Sequence, residues 1–379
     1  MTREHASPSG PRRYWSIAAA ILIAGVAGLA LIAPAGVLHG YLCAFVILLG
    51  LPLGSGALMM LQWLIPGRWA PPLLPAFRAA SGTAMLFVPL FVPLAIGAAS
   101  LYPWAGGKGE PMHGGREVYL NLGFFLGRSA IYLIVWTLGG WLLSRGPRSP
   151  DGQAQNRPGV AAAGTIVYVL TMSFAAIDWV GSIEPGWYSS IFGLYLIVGQ
   201  VLLALSFAIS ATLLDRPDDR DRTSLGDVRQ DQGTVLLTFI SLHAYMAFSQ
   251  LLIIWNGNLP AEITWYVHRS RGVWAFVCVA LFVAHFALPF VILLSRQRKR
   301  SREWLLFVCA VLIVMRAVEL AWMIVPSSPS PWISLLSALI AVAGVGWLWM
   351  AFFQTLRRRM RDGAVRSNPG ESVIAEGSA

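Results

Sequence analysis

The stretch Tyr168-Val-Leu-Thr-Met-Ser-Phe-Ala-Ala-Ile-Asp178-Trp-Val-Gly-Ser-Ile-Glu184-Pro-Gly-Trp187 decides the fold class. It closes an apolar run from about residue 160 to 183, long enough to cross a bilayer as a helix of about 20 residues. One carboxylate, Asp178, interrupts that run. A charge in hydrocarbon costs a few kcal/mol or more, so its presence calls for a partner or a task. Glu184 follows where Gly, Ser and Pro mark the end of the span. A buried acid beside a boundary acid is an arrangement suited to handling protons.

Working outward, the whole chain reads as membrane. Its 379 residues are 56% hydrophobic and only 12% charged, about half the charge of a soluble domain. The 16 Trp residues suit two interfacial belts. Ten apolar segments are expected to span, at roughly 14–38, 41–64, 76–101, 118–144, 160–183, 188–214, 233–256, 271–295, 303–325 and 332–356. The first follows Arg12-Arg13, and Ala33-Pro-Ala35 near its end resembles a signal-peptide cleavage site. Its apolar core exceeds the usual signal length of about 7–15 residues, so it reads as a retained helix. Residues 1–13 and 357–379 read as disordered cytoplasmic tails around a ten-helix membrane domain over 14–356.

The net charge of +10 does not point to nucleic acid. With the N-terminus placed in the cytoplasm, 22 of the 28 Lys and Arg fall on that side and only Lys108, Arg116, Arg269 and Arg271 on the other. That asymmetry puts both termini in the cytoplasm. The 215–232 connection alternates in sign and reads as a solvated hairpin, and 102–117 as a glycine-rich outer loop. Pro89 and Pro93 should kink the third span. Cys43, Cys278 and Cys309 all lie in spans, without CxxC or CxxCH. The chain therefore carries no motif for an iron–sulfur cluster or a c-type haem.

Polar groups inside the spans are Arg128, Asp178, Gln200, His243, Gln250, His285, Arg316 and Glu319. Arg316 and Glu319 are three apart, on one helix face and within pairing reach. Arg128 and Asp178 have no local partner and must find one across helices. Ordered by height, the carboxylates, histidines and arginines form an interrupted ladder toward the outer face, the composition of a proton relay. Paired buried charges can equally serve packing alone. His243 and His285 sit at equal height on successive spans, as a bis-histidine haem would need. Tyr245, Phe248, Phe282 and Phe286 crowd them, which argues against haem.

Five stretches resemble the ActF family, membrane subunits of alternative complex III within the wider NrfD/polysulfide-reductase-like group. They are Leu101-Tyr-Pro-Trp104 with Tyr119-Leu-Asn121 and Phe124-Phe-Leu-Gly-Arg128; the 168–187 stretch above; Ser190-Ile-Phe-Gly193 through Gly199-Gln200; Ala247 through Pro260 with Glu262 and Trp265-Tyr266; and His285-Phe-Ala-Leu-Pro289, Leu294-Ser-Arg296 and Met315-Arg316. The resemblance covers about residues 100–325. It implies two four-helix bundles, about 41–183 and 188–325, with flanking helices, in a bacterial cytoplasmic membrane. It also implies partners: a larger quinol-binding homologue, multihaem cytochrome c subunits and an iron–sulfur subunit. Those partners would carry the redox centres, so no cofactor is expected on this chain; the resemblance also implies a second quinol site here as an alternative, the better-supported quinol site belonging to the larger homologue. Arg128, Asp178, Glu184, Arg316 and Glu319 fall at polar positions that could serve a proton path, with His285 inside a matched motif and His243 outside them.

Two functions are thus expected from the sequence. The first is a non-catalytic integral subunit of a quinol:cytochrome c oxidoreductase, structural and conducting protons. The second is an independent transporter or proton carrier, which midplane charges would also suit.

Overall fold

A computed structural model describes residues 33–107, 115–145, 157–215 and 222–367. Among them the fold is all helical, with nine helices or helix pairs long and apolar enough to cross a membrane. The helices are α1 (Pro34–Leu64), α2 (Leu74–Ser81), α3 (Phe87–Ile96), α4 (Ala98–Leu101), α5 (Gly115–Tyr119), α6 (Leu122–Ser144), α7 (Pro158–Trp179) and α8 (Phe192–Asp215). They continue with α9 (Arg222–Gly257), α10 (Pro260–Arg269), α11 (Val273–Ala280), α12 (Leu288–Leu294), α13 (Arg296–Arg300), α14 (Arg302–Ile324) and α15 (Pro331–Ser367). The chain is a multi-pass helical membrane protein.

Several expected boundaries move. Most of the expected span 14–38 lies outside the described residues, and its last turn belongs to α1, which starts at Pro34. The second described span is built in pieces: 3₁₀ turns at Pro71–Leu73 and Gly82–Leu86 flank α2 before α3, with Pro93 inside α3. Residues 222–232, read as hairpin, are the first turns of α9. The last helix continues past 356 to Ser367.

α1 and α8 are apolar on every side, the mark of helices buried all round, and they form the centre of the molecule. The α2–α3 segment, α6 and α7 join α1 in one group, while α9, α11–α12 and α14 join α8 in another; α15 lies against α1. Gly54 permits the central contact, because a Cβ there would strike the backbone carbonyl of Gln200. Small residues at such seams let helix backbones approach closely. One end of the bundle carries the connections 184–191, 258–272 and 325–330, here called the loop face. The opposite end carries Arg68, Arg296–Arg300 and Arg357, where Arg68, Arg300 and Arg357 pair with Asp231, Asp227 and Asp215.

Candidate functional site

Local helix geometry assembles the densest polar group. Pro289 has no N–H, so His285 loses the donor four residues on, and proline in a helix disturbs the preceding turn. The chain responds with a π segment, Leu281–Ala287, in which the Leu288 N–H reaches the Val283 carbonyl. Such wide turns recur at functional sites. His285 sits inside this one. On α14, Arg316 and Glu319 occupy one face as their spacing requires, joined at 2.5 Å between Nη1 and Oε2. Gly199 on α8 makes room for the guanidinium: a Cβ there would land on Arg316. Arg316 also reaches the Leu196 carbonyl at 3.4 Å.

Glu319 is the hub. Oε1 accepts a short hydrogen bond from the Tyr195 hydroxyl of α8. His243 Nε2 of α9 stands 3.4 Å from Oε1, and His285 Nδ1 stands 3.6 Å from Oε2. The Tyr195 and His243 rings stack with centroids 4.9 Å apart, and the two imidazoles are also 4.9 Å apart. All five side chains are buried, Glu319 at 3% exposure. Yet His285 Nε2 and Arg316 Nε have no hydrogen-bond partner in their enclosed positions, and His243 Nε2 faces Glu319 at 3.4 Å without hydrogen-bond geometry. Buried polar groups in folded proteins are almost always paired, so a buried cluster with unsatisfied nitrogens stands out as a candidate site.

Charge decides what such a site could hold. His243, His285 and Glu319 offer three ligand atoms within 4.8 Å of one another, close enough for a metal ion. But Arg316 already neutralises the carboxylate, so a divalent ion would leave two uncompensated charges in a dry site. A proton would leave one, and it could be delocalised over imidazole, carboxylate and phenol. Burying unpaired charge is the dominant cost in such a place, so the donor set suits protons better than metal. A bis-histidine haem needs its two ligands on opposite sides of a macrocycle; here the rings touch and share one carboxylate.

A second cluster holds Asp178 quite differently. Arg128 of α6 donates Nε to Oδ2 at 2.9 Å and Nη2 to Oδ1 at 2.8 Å, and Tyr132 donates its hydroxyl to Oδ2 at 2.8 Å. Arg128 Nη1 adds a bond to the Tyr119 carbonyl, and its guanidinium lies against the Tyr119 and Phe124 rings. Asp178 is fully enclosed, at 0% exposure. Next to it, Trp179 donates to Ser129 and its carbonyl accepts from Tyr102. This is a saturated bidentate pair, with both carboxylate oxygens occupied.

Glu184 belongs to a third group, on the loop face. Its Oε1 accepts from Arg269 Nη2 at 2.9 Å and from the Ser327 hydroxyl. Arg269, buried to 1% exposure, also donates to the Trp265 and Met323 carbonyls and stacks on the Trp265 ring. Burial pulls the pKa of this guanidinium down and the Glu184 carboxylate opposes that. Trp187 stacks on Trp265 at 4.7 Å, and Trp322 donates to the Arg269 carbonyl. Three connections are clamped together by one arginine.

The single ladder expected from sequence is therefore three separate clusters. The structure brings His243, His285, Arg316 and Glu319 together, joins Arg128 to Asp178, and leaves Glu184 with Arg269. Sequence reading missed Tyr195, Tyr132 and Arg269. Arg269 had been counted only as a loop charge, although Trp265 and Arg269 are four apart on a short helix and must share a face. Compared with known protein families the chain matches none, and no curated protein matches it.

Proposed function

We propose that this chain is an integral subunit of a quinol-oxidising respiratory assembly of the alternative complex III kind, and that its own chemistry is proton handling at Glu319. One observation carries the proton reading: a buried carboxylate in contact with two imidazoles, a phenol and a guanidinium. The motifs between residues 100 and 325 support the assembly, with a larger quinol-binding homologue, multihaem cytochrome c subunits and an iron–sulfur subunit as partners. In this reading redox cofactors and the quinol site reside on those partners. The arginine-rich end faces the cytoplasm of a bacterium and the loop face lies outside, which puts Glu319 in the outer half of the bilayer, roughly 12 Å below Ser327 at 1.5 Å per residue.

In the mechanism, a proton joins the cluster on an imidazole nitrogen or on Glu319. Arg316, held between Leu196 and Glu319, pairs with the carboxylate and orients it toward both rings. Tyr195 can donate to the carboxylate or accept as it loses its own proton. The test is purification of the tagged chain from native membranes after gentle solubilisation, with and without Glu319→Gln. Multihaem cytochromes should co-purify in both cases. Proton-coupled quinol turnover should fall at least tenfold in the variant. A chain that runs alone removes the assembly and leaves an independent proton carrier; unchanged turnover and proton stoichiometry removes Glu319.

A further inference from the structure

Glu319 and Tyr195 are both tied to the loop face through one side chain. Glu319 rides on α14, and carbonyls in the last turn of a helix lack an N–H partner four residues on. Met323 is in that turn, four residues beyond Glu319. Arg269, at the end of α10, holds its carbonyl with Nη2 at 2.7 Å and Nε at 3.3 Å. On the other side of Glu319, Arg316 reaches the Leu196 carbonyl, next to Tyr195 on α8. Glu319 therefore lies between two arginine-to-carbonyl ties, three residues from one and four from the other. Tyr195 leads back to the same arginine. Phe192, one turn before it, packs edge-on against Trp187 at 5.0 Å; Trp187 stacks on Trp265 at 4.7 Å, and Trp265 lies 3.9 Å from the Arg269 guanidinium. Trp322 closes the circuit, edge-on to Trp265 at 5.4 Å and donating to the Arg269 carbonyl at 3.0 Å.

We propose that Arg269 is a positioning residue for the Glu319 cluster: its grip on the Met323 carbonyl sets the height of Glu319 against Tyr195, His243 and His285. The effect on protons rests on the proton reading of that cluster; the placement of Glu319 does not. A guanidinium presents its donors in one rigid plane. Arg269 spends them on the Trp265 and Met323 carbonyls, the Ser327 hydroxyl and Glu184, so these groups are fixed relative to one another. Glu184 serves here as the counter-charge that holds the fork in place. Glu319 lies about 6 Å along the helix axis from Met323, so a displacement of that turn is carried to its carboxylate. The margin is narrow. His243 and His285 stand 3.4 and 3.6 Å from the carboxylate oxygens, and an approach of about 0.5 Å separates such contacts from hydrogen bonds.

The experiment uses the full chain in lipid vesicles loaded with a pH-sensitive dye, with proton flux driven by a potassium diffusion potential. Arg269→Lys keeps the charge and loses the fork; Arg269→Met loses both. Each should displace the Glu319 carboxyl infrared band, identified by its loss in Glu319→Gln, and lower flux at least tenfold. Asp178→Asn breaks a comparably buried pair in the other helix group and should leave the band in place, which separates this tie from general loosening. Where Arg269→Met does not accumulate in the membrane, Arg269→Lys alone decides. A wild-type band in Arg269→Lys overturns the proposal, as does a band displaced equally in Asp178→Asn, or flux in Arg269→Lys within twofold of wild type when Glu319→Gln is impaired. The proton reading fails separately: Glu319→Gln that conducts like wild type removes it, while a band displaced only in the Arg269 variants still upholds the placement of Glu319 by Arg269.

Discussion

Replacing Asp178 by Asn tests whether that acid works on protons or holds the fold. The carboxylate accepts two N–H groups from Arg128 and one hydroxyl from Tyr132, all within 2.9 Å, and is completely enclosed. An amide keeps one acceptor oxygen and turns an NH₂ toward a guanidinium that is left buried without its counter-charge. Breaking one side of a buried pair costs about 3–5 kcal/mol. The retained oxygen favours the lower end, about 3 kcal/mol, or roughly a 150-fold shift in the folded ratio at 1.36 kcal/mol per decade. Replacing both partners by apolar residues, Arg128→Met with Asp178→Leu, removes the uncompensated charge and should lie within about 1–2 kcal/mol of wild type. Cys43 and Cys309 are buried and Cys278 is exposed, so a thiol-reactive dye can follow unfolding in mild detergent after an initial reaction at Cys278. The expected order of stability is wild type, then the double variant, then Asp178→Asn. If Asp178→Asn unfolds like wild type but loses proton-coupled activity, the structural reading of this pair is wrong.

Gly199→Val should force Arg316 off its seat on α8 and lower proton flux strongly, while Gly199→Ala causes a smaller loss of the same kind; equal flux in all three would mean that Arg316 does not hold Glu319 in place. Pro289→Ala restores an N–H to the helix and should let the π segment revert to α geometry, turning His285 by about 100° away from Glu319; infrared or NMR signals of His285 that match wild type would refute this origin of the wide turn. Arg68→Ala, at the 74% exposed end of the Arg68–Asp231 pair, should change stability by no more than about 0.5 kcal/mol in the same thiol assay, and a larger loss would show that the arginine-rich end is not freely solvated.

Some of this arrangement could be read along the chain and some could not. The Arg316–Glu319 pair follows from a spacing of three, and the Arg128–Asp178 pair from two opposite charges with no local partner. Both rest on one-dimensional rules: helical period, and the cost of a lone charge in hydrocarbon. Equal heights placed His243 and His285 side by side, but height says nothing about which third helix comes between them. α14 does, and Glu319 joins the two histidines into one polar cluster. Tyr195 could not be seen because a tyrosine about two turns into an expected span, 188–214, looks like an interfacial anchor. The neighbours of α1 and α8 were equally hidden, since a helix that is apolar on all faces has no preferred side to reveal. Arg269 escaped because a positive charge in a connection counts toward orientation whether it is solvated or, as here, buried among tryptophans.

The contact between α1 and α15 bears on how the protein is made. Ser334 of α15 donates its hydroxyl to the Gly36 carbonyl of α1 across 298 residues of chain, and Ser337 reaches Val37 beside it. At about 5–20 residues per second of synthesis, α1 waits roughly 15–60 s for that partner. Throughout the interval a helix destined for the interior stands with one flank against lipid or against whatever the insertion machinery provides. The last helix thus works as a clasp. A chain stopped before Pro331 would present its earlier spans to the membrane with that flank of α1 still open, a form that cellular quality control could recognise by the uncovered seam.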